Sequence, residues 1–460
     1  MPESPNLTVI GGGLAGCEAA WQAALCGVDV VLYEMRPHRR SPAHKTDALA
    51  ELVCSNSLRG AALENAVGLL KEELARLDSL IVGAARETAV PAGGALAVDR
   101  ERFGALVESR LREHPRITVE RREVTQIPRD EPVIVACGPL PSDALAAEID
   151  ALAGQRLHYY DAASPIVATD SIDEAQMYRK SRYDKGDGDD YLNIPLDRAQ
   201  YAQFIDDLRR LPKHDPKDFE LDAAAGKVPY FEGCLPIEEM AARGEDALRF
   251  GPMKPVGLRD PRTGKAPYAV VQLRKENASG TAFNLVGFQT RLTWPAQKEA
   301  FGRLPGLERA EWLRLGVMHR NAFVDSPRVL DADLRLRSHR SIRLAGQITG
   351  AEGYVEAAAC GAIAAIGAAR EMLGREPLVV PVQTALGAVV AHLQNTQTAD
   401  FQPANVTWAF IPPLEAAEAA RLPKRERRRL LAERALTAID EYGRRLGRER
   451  ARATSFVAAG

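Results

Sequence analysis

The chain has 460 residues, 46% of them hydrophobic and 27% charged, with 36 glycines and 29 prolines. This is an ordinary globular composition with room for two or three domains of about 150 residues each, and it excludes a disordered polymer, a collagen and a coiled coil. The net charge is −2, so any nucleic-acid partner has to be met by a local patch. Six cysteines with no Cys-x-x-Cys pair argue against a disulfide framework, a zinc site and a thioredoxin-type redox pair. They suit a reducing, cytoplasmic setting with no metal. The opening MPESPNLTVIGGG has neither a basic region nor a long apolar core, so no signal peptide is expected. No apolar run is long enough to suggest a membrane span.

Leu7–Ile10 reads as a buried parallel strand, broken by Gly11 to Gly16. Cys17–Leu25 is Ala-rich and helical, Gly27 ends it, and Val28–Glu34 is a second strand. Helical pattern returns over Leu69–Leu80 and Arg100–Arg112, and Val133–Ala136 is a further strand running into Cys137-Gly138-Pro139. From about 158 the chain turns aromatic and proline-punctuated. Residues 158–326 are expected to form a domain inserted between two parts, 1–157 and 327–460, of one α/β domain. Near 340 the α/β pattern resumes with Ile342–Ala345 and a Gly/Ala-rich helix. From Arg421 onward twelve Arg or Lys face five acids along a helical apolar stripe of Leu430, Leu431, Ala435, Ile439 and Leu446. The fold class expected is α/β: a Rossmann-type dinucleotide-binding domain with an inserted α+β domain.

Gly11-Gly12-Gly13-Leu14-Ala15-Gly16 follows a strand and opens a helix, the setting a dinucleotide fingerprint needs. Its glycines permit a tight turn, close approach of backbone to pyrophosphate and close helix–strand packing, with the helix N-terminus facing the phosphates. Glu34, ending the next strand, can accept from a ribose 2′-hydroxyl, which favours FAD or NAD over NADP. Two later segments favour FAD. One is Val133 to Pro139. The other is Leu344-Ala-Gly-Gln-Ile-Thr-Gly350 with Glu352 to Ala358, a strand end and helix N-terminus similar to the flavin segment of two-dinucleotide-fold flavoproteins. Gly346, Gln347, Gly350 and Glu356 are its candidate contacts; Gln347 stands where other flavoproteins commonly have Asp.

Cys54, in Leu52-Val-Cys-Ser-Asn-Ser-Leu-Arg59, has polar neighbours unsuited to a core, and Arg59 could lower a thiol pKa. Cys234 lies in Phe231-Glu-Gly-Cys-Leu-Pro-Ile-Glu238, beside a backbone opened by glycine and fixed by proline. For both, a reactive thiol and a small buried hydrophobe stay open on the residues alone; Cys17, Cys26, Cys137 and Cys360 take the second reading. His319 on its own reads as a surface or capping histidine. The basic tail, and Arg249, Lys254, Arg259, Arg262, Lys265, Arg274, Lys275 and Arg291 among aromatics, are the candidate RNA-facing groups.

Five segments occur in order: the glycine turn running into Cys17-Glu-Ala-Ala, the Cys54 segment, the Cys234 segment, Gly251-Pro-Met-Lys-Pro-Val-Gly-Leu258, and Ala345 to Gly350. Together they resemble the folate- and FAD-dependent tRNA (uracil-5-)-methyltransferase family, TrmFO. Its longer relative, the large flavoprotein subunit of tRNA wobble-uridine carboxymethylaminomethyl modification, shares the opening motif. The resemblance implies methylation of carbon 5 of uridine 54 in the T-loop of tRNA. Methylenetetrahydrofolate would give the carbon, and FAD recharged by NADPH or NADH the electrons. It places the two working thiols at Cys234 and Cys54, and a histidine that stacks folate at His319. The alternatives are the wobble-uridine flavoenzyme, a small-molecule flavin oxidoreductase, and a non-catalytic flavin-containing RNA-binding protein.

Overall fold

The computed structural model describes residues 6–154, 157–214, 230, 235–396, 401–414 and 422–455, with backbone alone for 159–162, 318–320 and 448–455. Five short parallel strands make the central sheet, in the spatial order Ile342–Leu344, Val133–Val135, Leu7–Ile10, Val30–Glu34, Ile117–Arg121. All four residues of Leu7–Ile10 are buried, as a strand covered on both faces requires. The helix Leu14–Leu25 packs on the long helix Tyr354–Met372 at very short range. A Cβ on Gly361 would lie 2.1 Å from the Ala15 carbonyl oxygen, so only glycine allows that approach.

In chain order the strands lie 5-4-1-2-3, a doubly wound sheet whose switch point falls between Leu7–Ile10 and Val133–Val135. Connections leave those two strands in opposite directions, so their carboxyl ends open a crevice. This is the Rossmann-type arrangement expected. One element differs. The helix expected over Leu69–Leu80 is two helices, Ala66–Arg76 and Leu80–Glu87. Asp78 takes a left-handed conformation (φ 57°) that ends the first, and the Ser79 hydroxyl caps the second by accepting from the Val82 N–H at 3.1 Å.

A second, antiparallel sheet holds Tyr178–Arg179, Tyr191–Leu196, Ala269–Lys275, Ala282–Leu285, Ile166–Ala168 and Trp312–Arg314 in that spatial order. It has its own apolar core, in which Phe288 packs between Phe204 and Phe301 at centroid distances of 5.8 and 5.7 Å. A two-stranded antiparallel ribbon, Leu157–Ala162 with Met318–Phe323, carries the chain in and out of this part. The basic tail is one helix, Lys424–Ser455, which buries Leu431, Ala435, Ile439, Tyr442 and Leu446. Arg76 fixes it by an ion pair to Asp440 at 2.6 Å. No helix among the described residues is long and apolar enough to cross a membrane.

Candidate functional site

At the carboxyl end of the parallel sheet lies a cavity of about 320 Å³. Its inner wall is the glycine turn, and each glycine has its own reason. A Cβ on Gly16 would sit 1.8 Å from the Gly11 carbonyl oxygen, so Gly16 packs helix on strand and lies behind the cavity. A Cβ on Gly13 would meet nothing within 4 Å. The protein therefore leaves open the space in front of Gly13, at the N-cap of the helix Leu14–Leu25, where unpaired N–H groups point outward. Gly11, Gly12, Gly13, Leu14, Ala15, Glu34, Gly346 and Gln347 line this cavity. Gly350 packs beneath it against Phe401, and Glu356 sits behind Gly353.

Glu34 is buried, and all its accepting positions are in use. Oε1 takes the Arg36 N–H and Nε (3.0 and 2.8 Å), while Oε2 takes the Gly12 N–H and Arg36 Nη2 (2.9 and 3.0 Å). Burial favours the neutral carboxyl, but the Arg36 guanidinium outweighs it and holds Glu34 below the usual carboxylate range. A ribose hydroxyl reaching Glu34 would have to share an oxygen with one of these donors. Arg36, fully buried, also pairs with Glu51 at 3.1 Å. Sequence reasoning missed both residues. The signal was present: a charged residue two places past the acid on a buried strand end needs a partner.

On the opposite wall Gln347 donates its amide to both oxygens of Glu352 at 3.0 Å. The position that commonly carries Asp is thus joined to an acid five residues on. Gly353 precedes the helix Tyr354–Met372. Glu356 accepts from Arg59 and from the Val406 N–H at 2.9 Å, and its Oε2 is buried without a partner among the described residues. Arg59, which lines the same cavity as Cys54, gives one guanidinium nitrogen to Glu356.

Cys54 lines the same cavity, as does Cys137, which the sequence reading placed among the buried thiols. Around Cys54 the backbone is held one residue at a time. Arg100 donates to the Leu52 carbonyl, and Arg314 Nη2 to the Val53 carbonyl at 2.6 Å. The Tyr354 hydroxyl accepts from the N–H groups of Cys54 and Ser55 (2.7 and 3.2 Å). Arg274 donates to the Ser55 hydroxyl and the Asn56 side-chain oxygen (3.1 and 2.9 Å). Asn56 is fully buried, its amide spanning the Val98 and Lys275 carbonyls at 2.9 and 2.8 Å. Asn56 therefore fills an interior because it is fully paired, while Ser55 and Ser57 are half-buried and line the cavity. Cys17, Cys26 and Cys360 are buried; burial pushes the Cys360 thiol up to about 12. Cys234 lies outside the described residues. His319 has its backbone in the ribbon, opposite Asp161. Two expected RNA-facing cations point inward: Arg274 is buried, and Arg291 pairs with Glu239 at 2.7 Å. No cluster suited to a metal ion occurs among the described residues.

Residues 6–376 match the family model described as GIDA, glucose inhibited division protein A. The chain is 56% identical over 436 residues to the methylenetetrahydrofolate–tRNA-(uracil-5-)-methyltransferase TrmFO of Geobacter sulfurreducens, covering 95% of this chain and 98% of that one. The chain belongs to the TrmFO family. A TrmFO of Heliobacterium modesticaldum is 54% identical over 95% of this chain and 98% of its own. GidA of Aquifex aeolicus (form II crystal) shares the fold, with a TM-score of 0.71 at 16% identity, over 99% of this chain and 76% of that one. The TrmFO family is one of enzymes, and the expectation from the five ordered motifs holds.

Proposed function

We propose that this TrmFO-family chain methylates carbon 5 of uridine 54 in the T-loop of tRNA, with methylenetetrahydrofolate as carbon donor and FAD, recharged by NADPH or NADH, as reductant. The observation that carries the reading is the likeness, along almost the whole chain, to relatives named for that donor and that base. The cavity suits FAD. Gly13 leaves room that no protein atom fills, and Glu356 keeps a buried oxygen unpartnered behind the opposite wall. Gly11 to Gly16 would hold the pyrophosphate at the helix N-terminus, with Glu34 on the ribose side. Gly346, Gln347, Gly350 and Glu356 would form or support the flavin side. FAD, when bound, supplies the electrons that turn the folate methylene into a methyl group.

The protein's own residues do the rest. Carbon 5 of uracil is a weak nucleophile until a thiolate adds at carbon 6. Cys234 would make that carbon–sulfur bond, and carbon 5, now enolate-like, would take the methylene as its bond to nitrogen breaks, tetrahydrofolate being released overall. Loss of the carbon 5 proton then expels the thiolate. Cys54, on the cavity wall, serves the folate carbon, and His319 stacks on the folate ring. The exposed cations of the helix Lys424–Ser455 meet the tRNA phosphates. Incubation with NADPH or NADH, methylene-labelled folate and unmodified tRNA tests this. Label should appear at carbon 5 of uridine 54 and be absent from tRNA carrying cytidine there. Label at a wobble uridine, or none at all, would refute the reading.

A further inference from the structure

Arg314 stands apart from the other groups around Cys54. It ends the strand Trp312–Arg314, on the edge of the second sheet, where pairing with Ile166–Ala168 slips register between Trp312 and Arg314. From there it reaches the Val53 carbonyl, 261 residues earlier in the chain. Its Nε is buried and makes no hydrogen bond among the described residues. Among the described residues no carboxylate pairs with it.

The charges around it are accounted for. Arg314 interacts electrostatically with Arg100, Tyr354, Cys54 and Glu51, and Arg100 with Glu276, Tyr354 and Cys54. Glu51 is committed to Arg36 at 3.1 Å, and Glu276 to Arg100 at 2.6 Å. Arg274 is occupied with Ser55 and Asn56. Burial first, and then repulsion from Arg100, weakens the Arg314 cation, so its charge is kept at a cost that an anion beside it would offset. Two groups beside it could lose a proton; burial pushes the Tyr354 hydroxyl up, which leaves the Cys54 thiol, one residue past the carbonyl that Arg314 holds. Downstream, Gly316 is clamped by Gln297, whose side chain accepts from its N–H at 2.7 Å and donates to its carbonyl at 2.9 Å. Three residues beyond the clamp is His319 in the ribbon.

We propose that Arg314 is the positioning residue of the Cys54 thiol, fixing the Val53–Cys54 peptide and presenting a positive charge to the sulfur from the same stretch that carries His319. The inference rests on Cys54 being a working thiol, but its test needs neither tRNA nor folate. In the FAD-loaded enzyme, alkylation of Cys54 by iodoacetamide is followed against pH, with the Cys54 peptide quantified by mass spectrometry and Cys54→Ser as background. Removing this cation should disfavour the thiolate, so Arg314→Gln should be alkylated about tenfold more slowly near neutrality than wild type. Arg314→Lys keeps the charge but not the planar fork and should fall between the two. A Gln profile that superposes on wild type overturns the proposal. If the Gln variant does not fold, the Lys variant decides, and a Lys profile identical to wild type overturns it equally. A shifted profile in an enzyme that methylates no tRNA would sink the functional reading and leave this one standing.

Discussion

Replacing Gly13 by valine separates the fold from the cofactor, because the two make opposite demands at that position. The backbone there is extended (φ −78°, ψ −172°), open to any L residue, and the added Cβ meets no protein atom within 4 Å. The cost to folding is then only that of an apolar N-cap, about 0.5–1 kcal/mol. For a dinucleotide the same carbon occupies the approach to the helix N-terminus. Pushing a pyrophosphate back by a methyl width forfeits one or two charge-assisted hydrogen bonds at about 1.5–3 kcal/mol each. A loss near 3 kcal/mol weakens FAD about a hundredfold. Gly16→Ala is the contrast: its Cβ would lie 1.8 Å from a backbone oxygen that cannot swing away, so it should cost the fold itself. Flavin-to-protein absorbance ratios, calorimetric titration of apoprotein with FAD, and thermal melts read all three. Gly13→Val should melt close to wild type, purify nearly colourless and rebind FAD weakly. Gly13→Val that binds FAD with unchanged Kd would put the dinucleotide elsewhere and refute the reasoning.

Three further outcomes are expected. A tRNA carrying 5-fluorouridine at position 54 should form a covalent adduct with wild type, since fluorine blocks the final proton loss; the adduct should vanish in Cys234→Ala, and peptide mapping to Cys54 instead would reverse the two thiols. Glu73, wholly buried and accepting from the Ala385 and Leu386 N–H groups, is pushed by burial from 4.5 up to about 8. Its folded pKa is raised, so the stability it contributes is present below about pH 4.5 and is lost as pH rises through about 8. Glu73→Gln keeps an acceptor without the titration, so its Tm should gain on wild type as pH is raised over that window; a constant offset would sink the idea. Because the helix Lys424–Ser455 packs into the core, deleting it would damage the fold, and charge reversal is the cleaner probe. Arg427→Glu and Arg445→Glu, both exposed, should each lower the salt slope of tRNA binding by about one; an unchanged slope would move the binding to the second sheet.

What was legible in the sequence is what is local. The glycine turn, the strands beside it and the Gly/Ala-rich helix are set by spacings within a dozen residues, and they appear where the pattern put them. Asp78 escaped because an aspartate inside an apolar periodicity carries no mark of a left-handed conformation; only Ser79, a capping residue, hinted at a break. Arg274 escaped for a different reason. On a strand buried along nearly its whole length an arginine needs a partner, and that partner, Asn56, lies 218 residues away. Charge counts cannot tell such a cation from a surface one.

The Cys54 loop shows why the site depends on the inserted segment. Its five residues from Leu52 to Asn56 are fixed by Arg100 and Tyr354 from the parallel-sheet side and by Arg274 and Arg314 from the antiparallel sheet. No single element supplies the partners that hold this irregular, largely half-buried segment, and leaving a buried polar group such as that of Asn56 unpaired costs about 1–3 kcal/mol. The loop is therefore ordered only where both sheets meet, and the geometry of its thiol is a property of that junction. A mutation deep in either core that shifts one sheet against the other reaches Cys54 through these arginines without touching the cavity. The glycine turn, in contrast, is held from the parallel-sheet side, by Glu34 on the Gly12 N–H and by the Tyr33 carbonyl on the Gly11 N–H. The dinucleotide side of the site can then keep its shape when the thiol side is disturbed, so loss of Cys54 chemistry with retained FAD marks damage at the junction rather than in the parallel sheet.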